Sequence, residues 1–344
     1  MAKNYERYIT AYYHNDIITA LQRNHECFVY GEGYPSYCKT DTIKDVIAKS
    51  PFTPGELDLV VVGTSWEVQD PKIPESDPHP KISLKKVKVP KIFFLNKEYK
   101  KLSQKLEYAK NNSFDLICTA HPKFQDWAKE TGLKFIYVPF AIDPNRFRFT
   151  DDENKRIYDF GFTGNLHRNY TNTRYAIKCK LFENPNLKAN FGISIFLRRN
   201  PIKEKYKRLK IYWAEWGARS IWGKSMVPTG EKYVSFLRKF QIFLSTPSAM
   251  GLVGNRYFEI MASKSLLFCP ESESYKQLFE SGKHFIPFKV DLSDFDDNLF
   301  YYIRNKEKRR IITENAYVHV INNHTYDKRI EFVLSKLNER EAEK

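Results

Sequence analysis

The sequence predicts an α/β protein of two domains, each a parallel sheet carrying helices on its faces. Three observations predict it. The chain has 344 residues, more than one hydrophobic core usually organises. Short apolar runs alternate along it with longer amphipathic segments, as strand–helix–strand successions do. A polar, proline-bearing stretch near residue 150 interrupts that alternation, which then resumes.

In the first half, Glu26–Tyr30, Leu57–Val62, Lys91–Leu95, Phe114–Thr119 and Lys134–Val138 read as strands. Tyr99–Lys110 reads as a helix, because Leu102, Leu106 and Ala109 fall at i, i+4 and i+7. The chain opens on a helical pattern where a doubly wound domain normally opens on a strand, unless Arg7–Tyr13 is that strand. The connector Val138–Phe147 holds Pro139 and Pro144, and Thr150–Arg156 is polar and turn-rich. The boundary is placed there, giving domains 1–150 and 151–325, with 326–344 a C-terminal helix packing back on the first domain. Strands resume at Ile157–Phe162, Phe191–Leu197, Phe240–Ser245, Ser265–Cys269 and His284–Phe288. Helices follow at Leu299–Arg304, Lys306–Asn322 and Tyr326–Leu337. No short-period internal repeat is present.

Composition narrows the class. Apolar residues make up 42% and aromatics 15%, enough for two cores. No run approaches the roughly 18 apolar residues of a membrane-spanning helix, and the polar, aromatic N-terminus lacks a cleavable leader, so a cytoplasmic protein is expected. Cys27, Cys38, Cys118, Cys179 and Cys269 are scattered singly, which argues against a disulfide framework and against structural zinc. The net charge of +15 is concentrated: residues 81–110 carry +8 and residues 197–224 carry +7. Such clustering suits an anionic partner, whether a nucleotide diphosphate, nucleic acid or an acidic membrane face; a solvated lysine-rich surface accounts for it equally well.

The strongest chemical signal is Pro247–Ser263. It follows an apolar strand, crosses a loop containing Gly251 and Gly254, and enters a helix at Asn255. A helix N-terminus offers unpaired amides and partial positive charge to an anion, and the glycines let a diphosphate approach the backbone. Arg256 in the first turn adds a bidentate phosphate contact. Glu259, three residues on, suits a ribose diol. By itself the pattern is also that of a plain strand–helix turn bearing a surface ion pair.

The order Asn255-Arg256-Tyr257-Phe258-Glu259-Ile260-Met261-Ala262, then Leu266-Leu267-Phe268, then a helix over Glu271–Glu280, then Gly282-Lys283-His284-Phe285, resembles group-1 glycosyltransferases. The resemblance is to their spore-maturation-protein-like branch, including its H-T-Y-x-x-R near the C-terminus, here His324-Thr325-Tyr326 and Arg329. It runs over about residues 233–332. It implies a GT-B fold: two Rossmann-like domains with parallel sheets facing an interdomain cleft, donor nucleotide on the C-terminal domain and acceptor on the N-terminal one. Glu259 is then the ribose ligand, and the loop Gly251, Gly254, Asn255 and Arg256 lies against diphosphate and sugar. Many relatives carry a second glutamate eight positions earlier, where this chain has Gly251. The strand-end turn Gly164, Asn165, with Arg168 after it, is implied to face the donor phosphates.

In the N-terminal half, polar residues follow two strands, at the end where open α/β sheets bind ligands. Glu98 and His121 are the candidate catalytic residues, either one able to take a proton from an acceptor hydroxyl once burial tunes it. Asp143 is a candidate hinge, and the loop Trp66–Pro80, with Asp70, Asp77 and His79, a candidate acceptor loop. Asp151-Asp152 and Asp296-Asp297 do not read as metal sites. The expectation is a metal-independent hexosyl- or pentosyltransferase without a bound cofactor. Its donor is a nucleotide-diphosphate sugar, and its acceptor a glycan, protein-linked or lipid-linked hydroxyl, with peripheral contact to an anionic membrane surface. The alternatives are a DNA-base glycosyltransferase of the same fold, or a non-catalytic nucleic-acid binding protein. Nucleic acid ranks below because no helix-turn-helix, RNP or zinc pattern is present.

Overall fold

A computed structural model describes residues 12–31, 34–53, 55–63, 82–96, 98, 99, 101–147, 156, 158–162, 172–183, 231–247 and 249–342. The chain divides into two compact units, one of Met1–Phe140 with Tyr326–Lys344, the other of Ala141–Thr325.

The first unit contains α1 (Tyr12–Asn24), α2 (Ile43–Lys49), β1 (Val60–Val62), β2 (Lys91–Leu95), α3 (Leu102–Asn111), β3 (Leu116–Thr119), α4 (Gln125–Thr131), β4 (Phe135–Tyr137) and, from the far end of the chain, α10 (Tyr326–Ala342). Its sheet has the order β1-β2-β3-β4, all parallel. Every residue of β2 and of β3 is buried, and within them Ile92–Leu95 and Leu116–Cys118 read as apolar runs rather than alternations. Phe93, Leu95 and Ile117 pack with Leu106, Ala109 and Phe114, the face predicted from the spacing in α3. The terminal helix α10 lies along α1, where Arg23 clasps Asp327 through Nε at 2.7 Å and Nη2 at 2.8 Å.

The second unit contains β5 (Tyr158–Phe162), α5 (Asn172–Glu183), α6 (Glu231–Leu237), β6 (Phe240–Leu244), α7 (Asn255–Ala262), β7 (Leu266–Pro270), β8 (Ile286–Phe288), α8 (Phe295–Arg304) and α9 (Lys306–Asn323). Its sheet runs β5-β6-β7-β8, again all parallel. Phe160, Phe162, Leu244, Phe268 and Phe288 form its core against Phe295 and Leu299 of α8. Gly161 in β5 is dictated by packing: a Cβ there would lie 2.3 Å from the Phe240 ring. Arg156 pins the amino ends of the strands, donating to Phe240 O at 2.6 Å and Ser265 Oγ at 3.0 Å.

Two expected elements are corrected. Glu26–Tyr30 is not a strand; its Tyr30 hydroxyl donates to Cys38 O at 2.9 Å, so the segment is held by its own loop instead of a ladder. The helix expected over Glu271–Glu280 is only a 3₁₀ turn at Glu273–Tyr275. Ser272 caps it, and the Tyr275 hydroxyl folds back to Pro270 O at 3.1 Å, so local side-chain bonds replace further helical turns. The expected strand Phe191–Leu197 lies outside the described residues. All five cysteines are free thiols. Among the described residues no helix is long and apolar enough to cross a membrane.

Candidate functional site

In the second unit, β6 ends at Leu244 and passes through Ser245 and Thr246 to a tight turn at Ala249–Gly251 before α7 begins. Met250 (φ +62) and Gly251 (φ +73) are both left-handed. Space is not what selects glycine at 251, since a Cβ would meet nothing nearer than Ser274 Oγ at 3.5 Å. Conformation is: an L-residue pays about 1–2 kcal/mol in the left-handed region, so a glutamate here would add strain to a turn already carrying Met250. Gly254 is the N-cap of α7 and brings no side chain to its amides, leaving the helix entrance open to an anion.

Side chains of α7, α6 and the turn before Phe147 gather behind that entrance. Glu259 is 7% exposed, and Asn255 Nδ2 donates to its Oε1 at 2.6 Å. Arg256 Nε donates to the Tyr233 hydroxyl at 3.4 Å. Burial pushes the Glu259 carboxyl up; the guanidinium groups of Arg146 and Arg256, with Asn255 and Tyr233, pull it back. A buried carboxylate so attended is a strong acceptor for hydroxyl donors. Arg146 arrives on a turn capped by Asp143, whose Oδ1 accepts from Asn145 N at 3.1 Å and whose carbonyl accepts from Arg146 N at 3.1 Å. Asp143 thus builds the turn that carries Arg146. Arg174 of α5 reaches the carboxyl end of β6, bonding Thr246 Oγ1 and, at 3.4 Å, Pro247 O.

The structure therefore brings together Gly251, Gly254, Asn255, Arg256 and Glu259. Gly164, Asn165 and Arg168 lie outside the described residues, as does the loop Trp66–Pro80. Sequence reasoning missed Tyr233, Arg146, Arg174 and Thr246. Thr246 was findable, because it lies two residues beyond a strand's carboxyl end. The other three belong to segments whose approach only the fold reveals.

In the first unit, β2 and β3 end side by side, with Leu95 opposite Thr119. Glu98 follows one and His121 the other, and Thr119 joins them: its hydroxyl donates to Glu98 Oε1 at 2.6 Å and accepts from His121 N at 3.1 Å. Glu98 is 3% exposed, and burial raises its carboxyl above the usual range against the pull of Thr119, two backbone amides and Lys105. Lys105, itself buried, donates to Asn96 O at 2.6 Å. Burial and the charge of Lys123 push the His121 ring below its usual range, favouring its neutral form. Its Nδ1 accepts from Lys123 N at 3.1 Å, which places the neutral ring's proton on Nε2 and makes that edge a donor. Beside this trio, at the carboxyl ends of β2, β3 and β4, is a cavity of about 30 Å³ whose wall includes Phe94, Asn96, Cys118, Ala120, Val138 and Arg329. Among the described residues no three histidine, cysteine or carboxylate groups converge as a metal site.

With this geometry in hand, comparison with known proteins is informative. Residues 196–335, less than half of the chain, match the family described as glycosyl transferase-like. No curated protein matches. The sucrose-phosphate synthase of Thermosynechococcus elongatus superposes with a TM-score of 0.50 at 8% identity, covering 74% of this chain and 69% of that one. TarM superposes at 0.49 and 12% identity, covering 73% of this chain and 50% of that one, so this chain spans half of that structure. HepE of Anabaena, solved with UDP, superposes at 0.46 and 12% identity, covering 72% of each. The expected α/β fold of two parallel sheets, of the GT-B type, is borne out by the superposition on the synthase, and the segment 196–335 is similar to the glycosyl transferase-like family.

Proposed function

We propose that this chain moves a sugar from a nucleoside-diphosphate donor to a hydroxyl acceptor. The observation that carries the reading is Glu259: a buried carboxylate one turn inside a glycine-capped helix entrance, attended by Asn255, Arg256 and Arg146. Such an arrangement fits a ribose diol donating to the carboxylate while the diphosphate meets the α7 amides and Arg256.

The chemistry then divides between named residues. The acceptor oxygen bonds to the anomeric carbon as the bond from that carbon to the diphosphate oxygen breaks, with the electron pair leaving on the diphosphate. Arg256 and the amides support that developing charge, which is the task a metal performs elsewhere, so turnover is expected to need no metal. Glu98 takes the acceptor's proton. Its raised carboxyl suits a base working near neutral pH, and its donors leave a carboxylate acceptor site to spare. His121, carrying its proton on Nε2, orients the acceptor as a donor. A glycan or lipid-linked sugar is the preferred acceptor, and the basic stretches 81–110 and 197–224 are where an anionic acceptor or membrane face would be met.

The test is direct. Glu259→Ala should weaken donor binding about 100-fold while circular dichroism shows an intact fold; unchanged donor affinity in that variant would sink the ribose assignment.

A further inference from the structure

The short helix ahead of β6, α6, carries a residue no part of the reaction scheme has used. Tyr233 is 3% exposed. Its helix is anchored beneath it by Phe236, whose ring meets Phe240 at 5.0 Å and Phe243 at 6.3 Å between centroids, so the phenol is held rather than loose. The hydroxyl accepts from Arg256 Nε at 3.4 Å and lies close enough to Glu259 to favour its charged form. A phenol has one proton and two lone pairs, so it serves a guanidinium and a carboxylate at once.

That matters because Arg256 and Glu259 stand at i, i+3 on one helix, where oppositely charged side chains close on each other. In this structure each also meets a neutral partner, Tyr233 for the guanidinium and Asn255 for the carboxylate. We propose that Tyr233 is a positioning residue of the nucleotide site, its hydroxyl holding Arg256 for the diphosphate and Glu259 for the ribose before the ligand arrives. The proposal rests on the nucleotide reading above. It acts through Arg256 and Glu259 and requires no contact with the nucleotide itself.

The test uses Tyr233→Phe, which removes one oxygen and leaves the ring. The intact protein and the variant are titrated calorimetrically with UDP, GDP, CDP, ADP and dTDP between pH 5 and pH 8. The diphosphate that the intact protein binds should bind the variant roughly tenfold more weakly at neutral pH. The acid limb of the affinity profile should move to higher pH, because Glu259 has lost a partner of its charged form. In a Glu259→Gln background the same change should cost less, since the two residues act together. Equal affinity and an unmoved acid limb in Tyr233→Phe, or full additivity with Glu259→Gln, would overturn the role given to Tyr233. Failure of the intact protein to bind any of the five would instead overturn the nucleotide reading on which it rests.

Discussion

The two sheets present their carboxyl ends in the same way, yet arm them differently. Each end holds a buried carboxylate pushed up by loss of solvent, Glu98 in the first unit and Glu259 in the second. Around Glu259 the opposing influences are led by two guanidinium groups, which cannot discharge. Around Glu98 they are led by the Thr119 hydroxyl, with Lys105 a lesser influence. Guanidinium charge beside a carboxylate favours its ionised form over a wide pH range, whereas a hydroxyl and amides favour that form chiefly through hydrogen bonds. Burial alone therefore does not assign a role; the partners do.

The comparison can be broken at either end. Glu98→Gln keeps the bond from Thr119 but cannot accept a proton, so turnover should fall about 10²–10⁴-fold with nucleotide affinity unchanged, read from kcat against a calorimetric Kd. Glu259→Ala should do the reverse, weakening nucleotide binding about 100-fold, the worth of hydrogen bonds to a charged group. If the two variants lost the same parameter, the division of labour would be wrong. Gly161→Ala sharpens the comparison through packing. It forces a methyl group against Phe240 in the second sheet only, and overpacking of that kind costs about 1–3 kcal/mol. Chemical unfolding should show the loss, while the residues around Glu98 are left as they were.

The smallest effect is a pH dependence behind α7. Phe258 packs on Phe279 and on His324, and His284 stacks on His319 with ring centroids 4.2 Å apart. Burial, then the charges of His319 and Lys283, lower His284 from 6.5 to about 4. The folded value lies below the unfolded one, so the folded state favours the neutral ring. Its contribution to stability is complete above pH 6.5 and lost as pH falls toward 4. Thermal unfolding of His284→Gln should accordingly be less sensitive to acid across that window than that of the unmodified chain. An identical slope would mean that the histidine stack does not report on the support of α7.

Much of this was legible in residue order. Buried parallel strands are largely apolar, so Ile92–Leu95 and Ile242–Leu244 announced themselves, and the glycine-bearing entry to α7 pointed at its own helix terminus. Glu98 and His121 could be chosen because strand ends bind ligands. What could not be read was company. Thr119 joins Glu98 to His121 across two strands, and Tyr233 meets Arg256 across 23 residues. Neither pairing leaves a periodicity or spacing to detect. The two misread elements fail for one reason: Tyr30 and Tyr275 each spend a hydroxyl on nearby backbone, and such local bonds compete with regular structure without changing hydrophobic pattern. Tyr275 also shows why a family-like order of pieces does not guarantee the secondary structure of each piece.

The central claim is that α7 and Glu259 form a nucleotide site. A thermal-shift series with UDP, GDP, CDP, ADP and dTDP, each with and without EDTA, tests it on the unmodified chain and on Glu259→Ala. A ligand at 100 times its Kd adds about 2.7 kcal/mol, enough for a clear rise in melting temperature. The account predicts a rise with at least one diphosphate, indifferent to EDTA and absent in Glu259→Ala. No rise with any of them, or an equal rise in the variant, would contradict it.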